Sequence, residues 1–138
     1  MKPSLESAKA ALHSQPFSTL LNAEITSFES TFVELRVPIT DQVKQQHGFV
    51  HGGVISYAAD NALTFAGGAA LGPAVVTSEF KINYLRPAKG EELVARASVV
   101  HAGKSQAVCQ CQVFIVSGGE EVLCAVAQGT IASLSQPK

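Results

Sequence analysis

The stretch "HGGVISYAADNALTFAGGAALGP" occupies residues His51 to Pro73. Within it, Ile55, Ala58, Ala59, Ala62, Phe65, Ala66 and Ala69 recur at i, i+3 and i+4. That spacing predicts one long helix over Val54–Leu71 with a continuous apolar face. The small residues on that face would let a sheet approach closely, and Gly72-Pro73 ends the helix. One acid, Asp60, interrupts this apolar segment. Aspartate has poor helix propensity and is costly to bury unpaired, so its presence asks for a reason.

Upstream, Leu5–His13 reads as a short helix with Ser4 as its N-cap, and Pro16–Leu21 as one further helical turn. "AEITSFESTFVELRVPI" carries β-branched and aromatic residues about a polar turn at Glu29-Ser30 and reads as a hairpin. Thr40–Gln46 is polar and reads as a loop. Downstream of the helix only strand patterns follow. In "VVTSEFKINYL", Val76, Phe80, Ile82 and Tyr84 are expected on one face, with Thr77, Glu79, Lys81 and Asn83 on the other. Leu93–His101, Gln106–Val116 and Glu121–Leu134 are joined by short turns and should form an antiparallel meander. A hairpin, one long helix and four strands suggest an α+β domain in which a curled antiparallel sheet wraps the helix.

The 138 residues are 46% hydrophobic and 15% charged, with a formal net charge of −1. About 25% charged is usual, so further apolar surface is expected to be buried between subunits. A near-neutral chain without a Lys/Arg run offers no field for nucleic acid or anionic membrane. The N-terminal residues have no apolar core of a signal peptide, and no apolar run reaches the roughly 20 residues of a membrane span. Cys109, Cys111 and Cys124 are odd in number and lack a CxxC, which argues against a disulfide framework or zinc site and fits buried thiols in a reducing cytoplasm.

The "HGG" lies where the helix begins. The first N–H groups of a helix have no internal acceptor, and the macrodipole adds positive charge there. Gly52 and Gly53 carry no side chain to hold a ligand away, so the place could polarise a carbonyl or hold an oxyanion. The same pair could serve only to turn the chain into the helix. His47 and His51 are four apart, but they precede the helix and HExxH is absent, so a metal is not expected. They shape the loop through backbone hydrogen bonds, or one of them touches substrate; His51 heads the HGG and counts among the candidate catalytic residues.

For Asp60 two readings stand. Its helical neighbours Ser56, Tyr57 and Thr64 are polar, so it could accept a hydrogen bond from Ser56 or Thr64 as a structural residue. It could equally look into a cleft between subunits, where a carboxylate stripped of water is a stronger base and nucleophile. Gly52 and Asp60 are eight residues apart, about 12 Å along one helix axis. Asp60 therefore cannot attack a carbonyl bound at the start of its own helix. An antiparallel pair of such helices would bring each helix start to the other's Asp60 and generate two equal sites. No GxSxG elbow is present. A thioester suits one carboxylate and one oxyanion site, because a thiol with a pKa near 8.5 leaves readily.

"HGFVHGGVISYAADNA", "TSEFKINYLRPAKGEELVARASVVHAGKS" and "AVAQGTI" resemble the hotdog-fold acyl-CoA thioesterases of the phenylacetate-degradation (PaaI-like) group, over about residues 16 to 134. The resemblance implies a sheet curled around one helix, homodimers with helices side by side, often homotetramers, and an acyl-CoA substrate with no separate cofactor. It places the family's carboxylate on Asp60, as general base or nucleophile, and its carbonyl-polarising amide on Gly52. The family's Asn before the HGG falls on Gln45, a departure from the pattern, with His47 close by as a substitute. The family's Ser/Thr on the next strand falls on Thr77, which would orient the water. Arg86, Lys89 and Lys104 become candidates for coenzyme A phosphates, and Phe49, Val54, Tyr57 and the surroundings of Asn61 for the acyl pocket.

Two rivals stand beside the thioesterase. A hotdog hydratase or dehydratase would pair its Asp with a His five residues on, where this chain has Phe65. A non-catalytic acyl-CoA-binding module would have little reason to keep a costly mid-helix acid.

Overall fold

The computed structural model describes residues 4–134. In chain order it has α1 (Leu5–His13), α2 (Pro16–Leu20), β1 (Glu24–Glu29), β2 (Phe32–Pro38), a 3-10 turn at Asp41–Val43, and α3 (Gly52–Leu71). Then come β3 (Val75–Tyr84), β4 (Glu92–Ala102), β5 (Gln106–Ser117) and β6 (Glu120–Ser133). The strands form one sheet in the order β1-β2-β4-β5-β6-β3, antiparallel throughout. It curls around α3, which packs on β2, β3, β4, β5 and β6. This is the hotdog arrangement, with the expected hairpin in β1–β2 and the expected meander in β4–β5–β6.

Ser4 caps α1 as expected, in a reciprocal box with Ser7, and Leu12 and Ala8 bury the helix against the sheet. On α3, Ile55, Ala58, Ala59, Ala62 and Ala66 face the core as their spacing predicts. Phe65 and Ala69 are only half-buried, and Leu63 and Gly67 occupy inner positions instead. The wrapped sheet therefore covers a wider arc of the helix than a single stripe.

The alternation expected for β3 breaks at one point. The β3–β6 register shifts between Thr77 and Glu79, which marks a bulge. An extra residue there reverses parity. Val76 consequently points outward, at 45% exposure, while Thr77 is half-buried together with Phe80 and Ile82. Strict alternation predicts Val76 on the face of Phe80 and Ile82 and Thr77 on the other. The bulge exchanges the two and brings the Thr77 hydroxyl to α3.

On the outer face Arg96 donates to Glu34 (2.8 Å) and with two nitrogens to Glu121 (2.8 and 2.6 Å), and lies 5.0 Å above the Phe114 ring. Burial alone would raise the Glu34 carboxyl, but the hydrogen bonds from Thr26 and Arg96 and the charges of Arg36 and Arg96 hold it below its usual value.

Cys109, Cys111 and Cys124 are free and buried. Burial pushes their thiols up to about 11, about 12 and about 11 respectively. Thiolate, the reactive form, is thus scarce at neutral pH. A chromogenic disulfide reagent at pH 8 should find no fast-reacting thiol in the native protein and all three after denaturation. A fast thiol in the native state would contradict this burial.

Candidate active site

Two clusters flank the two ends of one stretch of α3. The first is at the helix start. A backbone bridge pairs Lys44 with Val50, and His51 N–H and Val50 N–H donate to Val43 O (2.8 Å) and Ala88 O (2.9 Å). The chain is thereby delivered rigidly into α3. His51 is the N-cap, and its Nδ1 accepts the Gly53 N–H at 2.8 Å. That bond fixes the first turn and occupies His51 with structure. The Gly52 N–H has no acceptor among the described residues. It lies beside a cavity of about 570 Å³ whose lining includes Gln45, His47, Phe49, Gly52, Tyr84 and Arg86.

Within this loop the Gln45 side-chain oxygen accepts the His47 N–H, and Gly48 N–H donates to Gln45 O at 3.0 Å. Gly48 takes φ +89°, a value natural to glycine. Gln45 thus braces the loop through its oxygen.

The second cluster is mid-helix. Asp60 Oδ1 accepts the Thr77 hydroxyl at 2.7 Å. Thr64 Oγ1 is 2.8 Å from both the Asp60 carbonyl and Thr77 Oγ1. Thr77 has one proton and gives it to the carboxylate, so toward Thr77 Oγ1 Thr64 can only donate, and its single proton is shared between that oxygen and the Asp60 carbonyl. Asp60 Oδ2 has no partner among the described residues and is the oxygen available to a substrate or water. The two structural donors that spacing offered are otherwise placed: Thr64 bonds the Asp60 main chain, and Ser56 lies 2.7 Å from Tyr84 Oη.

Among the remaining candidates, Tyr57 and Asn61 belong to a polar knot with α2. Tyr57 Oη donates to Ser18 Oγ (2.5 Å), Asn61 Nδ2 lies 3.0 Å from Tyr57 Oη, and Ser18 donates to Gln15 (2.6 Å). Burial raises the Tyr57 phenol, against the hydrogen bonds to Ser18 and Asn61. Val54 is buried. Arg86 is exposed on the wall of the helix-start cavity, Lys89 is exposed three residues on, and Lys104 is exposed in the β4–β5 turn. Ser105 O accepts the Ser133 N–H at 2.8 Å, which sets that turn at the Thr77 end of the sheet. One chain therefore separates Lys104 from Arg86 by most of a strand length.

Tyr84 escaped the sequence reading as a site residue. Its hydroxyl donates to Gly52 O at 3.1 Å and meets Ser56, so it pins the first peptide of α3. Alternation groups it with Phe80 and Ile82 on one face of the strand; nothing in the pattern ties it to Gly52. No group of three or more His, Cys, Asp or Glu suited to a metal occurs among the described residues, and no helix there is long and apolar enough to cross a membrane.

A curled sheet around one helix is the hotdog fold, and the unengaged amide at the helix start and the carboxylate two turns on are its candidate site. The chain belongs to the thioesterase superfamily, whose family model matches residues 47–122. It is 30% identical to the acyl-coenzyme A thioesterase PaaI of Escherichia coli over 109 residues, covering 78% of this chain and 77% of that one. A putative esterase of Haemophilus influenzae is 29% identical over 117 residues, 83% of each chain. The crystal structure of a thioesterase family protein from Silicibacter pomeroyi superposes with a TM-score of 0.88 at 33% identity, covering 92% of this chain and 95% of that one.

Proposed function

We propose that this thioesterase hydrolyses an acyl-CoA to the free acid and CoA, without a separate cofactor, in a homodimer whose sites join two chains. The observation that carries the reading is the Asp60 carboxylate, oriented by Thr77 with one oxygen free, on a helix whose first N–H is unengaged. The substrate carbonyl oxygen accepts the Gly52 N–H of one chain, which stabilises the oxyanion as the carbonyl is attacked. Asp60 of the other chain attacks directly or takes a proton from the attacking water, and CoA leaves as its thiolate.

The dimer follows from distance and surface. Eight residues of helix keep Gly52 and Asp60 about 12 Å apart. Ser56, Asp60 and Thr64 form a half-buried stripe that their own sheet leaves uncovered. Among the described residues β3 pairs only with β6, so its free edge can continue into a second copy. An antiparallel pairing also brings Lys104 of one chain toward Arg86 and Lys89 of the other, a two-chain cradle for CoA phosphates. Three buried free thiols suit a cytoplasmic setting.

A panel of acyl-CoA esters with detection of the released thiol tests the reaction class. A mixing experiment tests the shared site. Asp60→Asn and Gly52→Val should each be inactive alone. Co-folded in equal amounts, half the dimers are mixed and each carries one intact site of two, so about a quarter of wild-type activity should return. No recovery, with mixed dimers demonstrated, would place both groups in one chain and end the shared-site reading.

A further inference from the structure

A second cavity, of about 370 Å³, lies under α1. Its walls include Ala8 and Ala11 of α1, Phe28 of β1, Phe65 of α3, and Pro73 and Val75 beyond it. Phe28 and Phe65 meet edge to face, with centroids 6.5 Å apart and planes at 87°. Among the described residues, no charged side chain lines it. The space exists because Ala8, Ala11 and Gly68 present so little side chain. Its wall is firm: α1 is capped by the Ser4–Ser7 box and anchored by Leu12, which is fully buried.

One lining residue, Thr64, ties this cavity to the chemistry. Its hydroxyl is 2.8 Å from Thr77 Oγ1, which donates to Asp60. A carbonyl carbon beside Asp60 has two substituents to place. Its sulfur side runs toward the partner chain's helix start, where the cavity holding Arg86 opens. Its carbon side then faces Thr64 and the space under α1.

We propose that this cavity receives the acyl group, that the group is uncharged and apolar with the bulk of a bicyclic arene or a medium-length alkyl chain, and that α1 sets its upper size. This rests on the thioester-hydrolase reading and names its substrate class. A cavity of about 150 Å³ holds one benzene ring, so the volume here accommodates two fused rings. A succinyl or malonyl group would bring a carboxylate into a space whose polar residues, Ser4, Ser7, Gln15 and Thr64, are uncharged, with no cation among the described residues to meet it. The wall itself, Leu5–His13, lies outside the residues matched by the family model, so the size limit is set by a part of the chain beyond that match.

Steady-state hydrolysis of acetyl-, butyryl-, hexanoyl-, decanoyl-, succinyl- and 2-naphthoyl-CoA reads the selectivity. kcat/KM should rise about fourfold per methylene until the cavity is filled, and succinyl-CoA should fall well below hexanoyl-CoA. Ala11→Leu, at an exposed position that tolerates bulk, should lower kcat/KM for 2-naphthoyl-CoA on the order of tenfold more than for butyryl-CoA. Phe28→Leu, which opens the opposite wall, should shift the preference toward longer chains. Binding of 2-acetonaphthone, a neutral ketone bearing the same ring system, is followed by ligand-observed NMR and needs no turnover; Ala11→Leu should weaken it. Turnover whose acyl preference is indifferent to both substitutions, or succinyl-CoA matching hexanoyl-CoA, overturns the cavity assignment and leaves hydrolysis standing. Ketone binding that Ala11→Leu weakens, with no thioester turned over, keeps the cavity as an apolar ligand site and overturns hydrolysis.

Discussion

Asp60→Asn should lower kcat for thioester hydrolysis by about 10²–10⁴-fold while leaving KM and the melting temperature nearly unchanged. Asparagine keeps the shape of the side chain and an oxygen that can still accept the Thr77 hydroxyl, now 2.7 Å from Oδ1. The substitution therefore removes the charge and the proton acceptor without breaking the contact between α3 and β3. The loss corresponds to about 3–5 kcal/mol of transition-state stabilisation, more than a surface hydrogen bond supplies and typical of a group that takes a proton or attacks. Steady-state kinetics across the acyl-CoA panel, paired with thermal denaturation, separates the two effects. A kcat within tenfold of wild type would assign Asp60 to structure and leave the carbonyl to be attacked by something else. A large fall in melting temperature would mean that the charge also holds the fold.

The fold was legible because its signals are periodic. The apolar repeat from Ile55 to Ala66 gave α3, and turn chemistry gave the β1–β2 hairpin and the β4–β5–β6 meander. Periodicity cannot see a bulge. Nothing in "VVTSEF" announces that an extra residue sits between Thr77 and Glu79, and a parity change sends half a strand to the other face. Nor can periodicity place β3, which follows α3 in the chain yet pairs with β6 at the far edge of the sheet.

The candidate site was legible in its unusual members. An acid inside an apolar helix and a glycine pair before it are costly choices that stand out in a sequence. Their supports do not stand out. Thr64 and Tyr84 are ordinary residues in a helix and a strand, and they matter through contacts with Thr77 and Gly52 that only the packing of α3 on β3 creates. Arg86 and Lys104 are both candidates for coenzyme A phosphates, yet one chain holds them at opposite ends of the sheet. In the proposed dimer the pairing of two chains brings them together, as it does Asp60 and Gly52.

That packing makes the sharpest stability contrast in the molecule. Gly67 and Gly68 are neighbours on α3, yet they should respond oppositely to alanine. A Cβ at Gly67 would lie 2.5 Å from Ile131 Cβ and Cγ2. Ile131 Cβ is fixed to the backbone of β6 and cannot rotate away. A Cβ at Gly68 would meet only Val75 Cγ2, at 3.6 Å, an ordinary contact. Alanine improves helix propensity by about 1 kcal/mol at either position. At Gly68 nothing opposes this gain, so Gly68→Ala should be neutral or stabilising by up to about 1 kcal/mol. At Gly67 the overlap must be relieved by lifting α3 off the sheet, and overpacking of this kind costs about 1–3 kcal/mol or more. Contacts this short belong at the top of that range, so Gly67→Ala should lose about 2 kcal/mol net. Urea denaturation should show its midpoint falling with an unchanged slope. Activity should fall with it, because α3 carries Asp60 while Thr77 belongs to the sheet, and lifting the helix stretches the 2.7 Å bond between them. Equal stability of the two variants would show that the helix does not rest on Ile131, and full activity in a destabilised Gly67→Ala would show that the Asp60–Thr77 contact does not depend on how closely α3 sits.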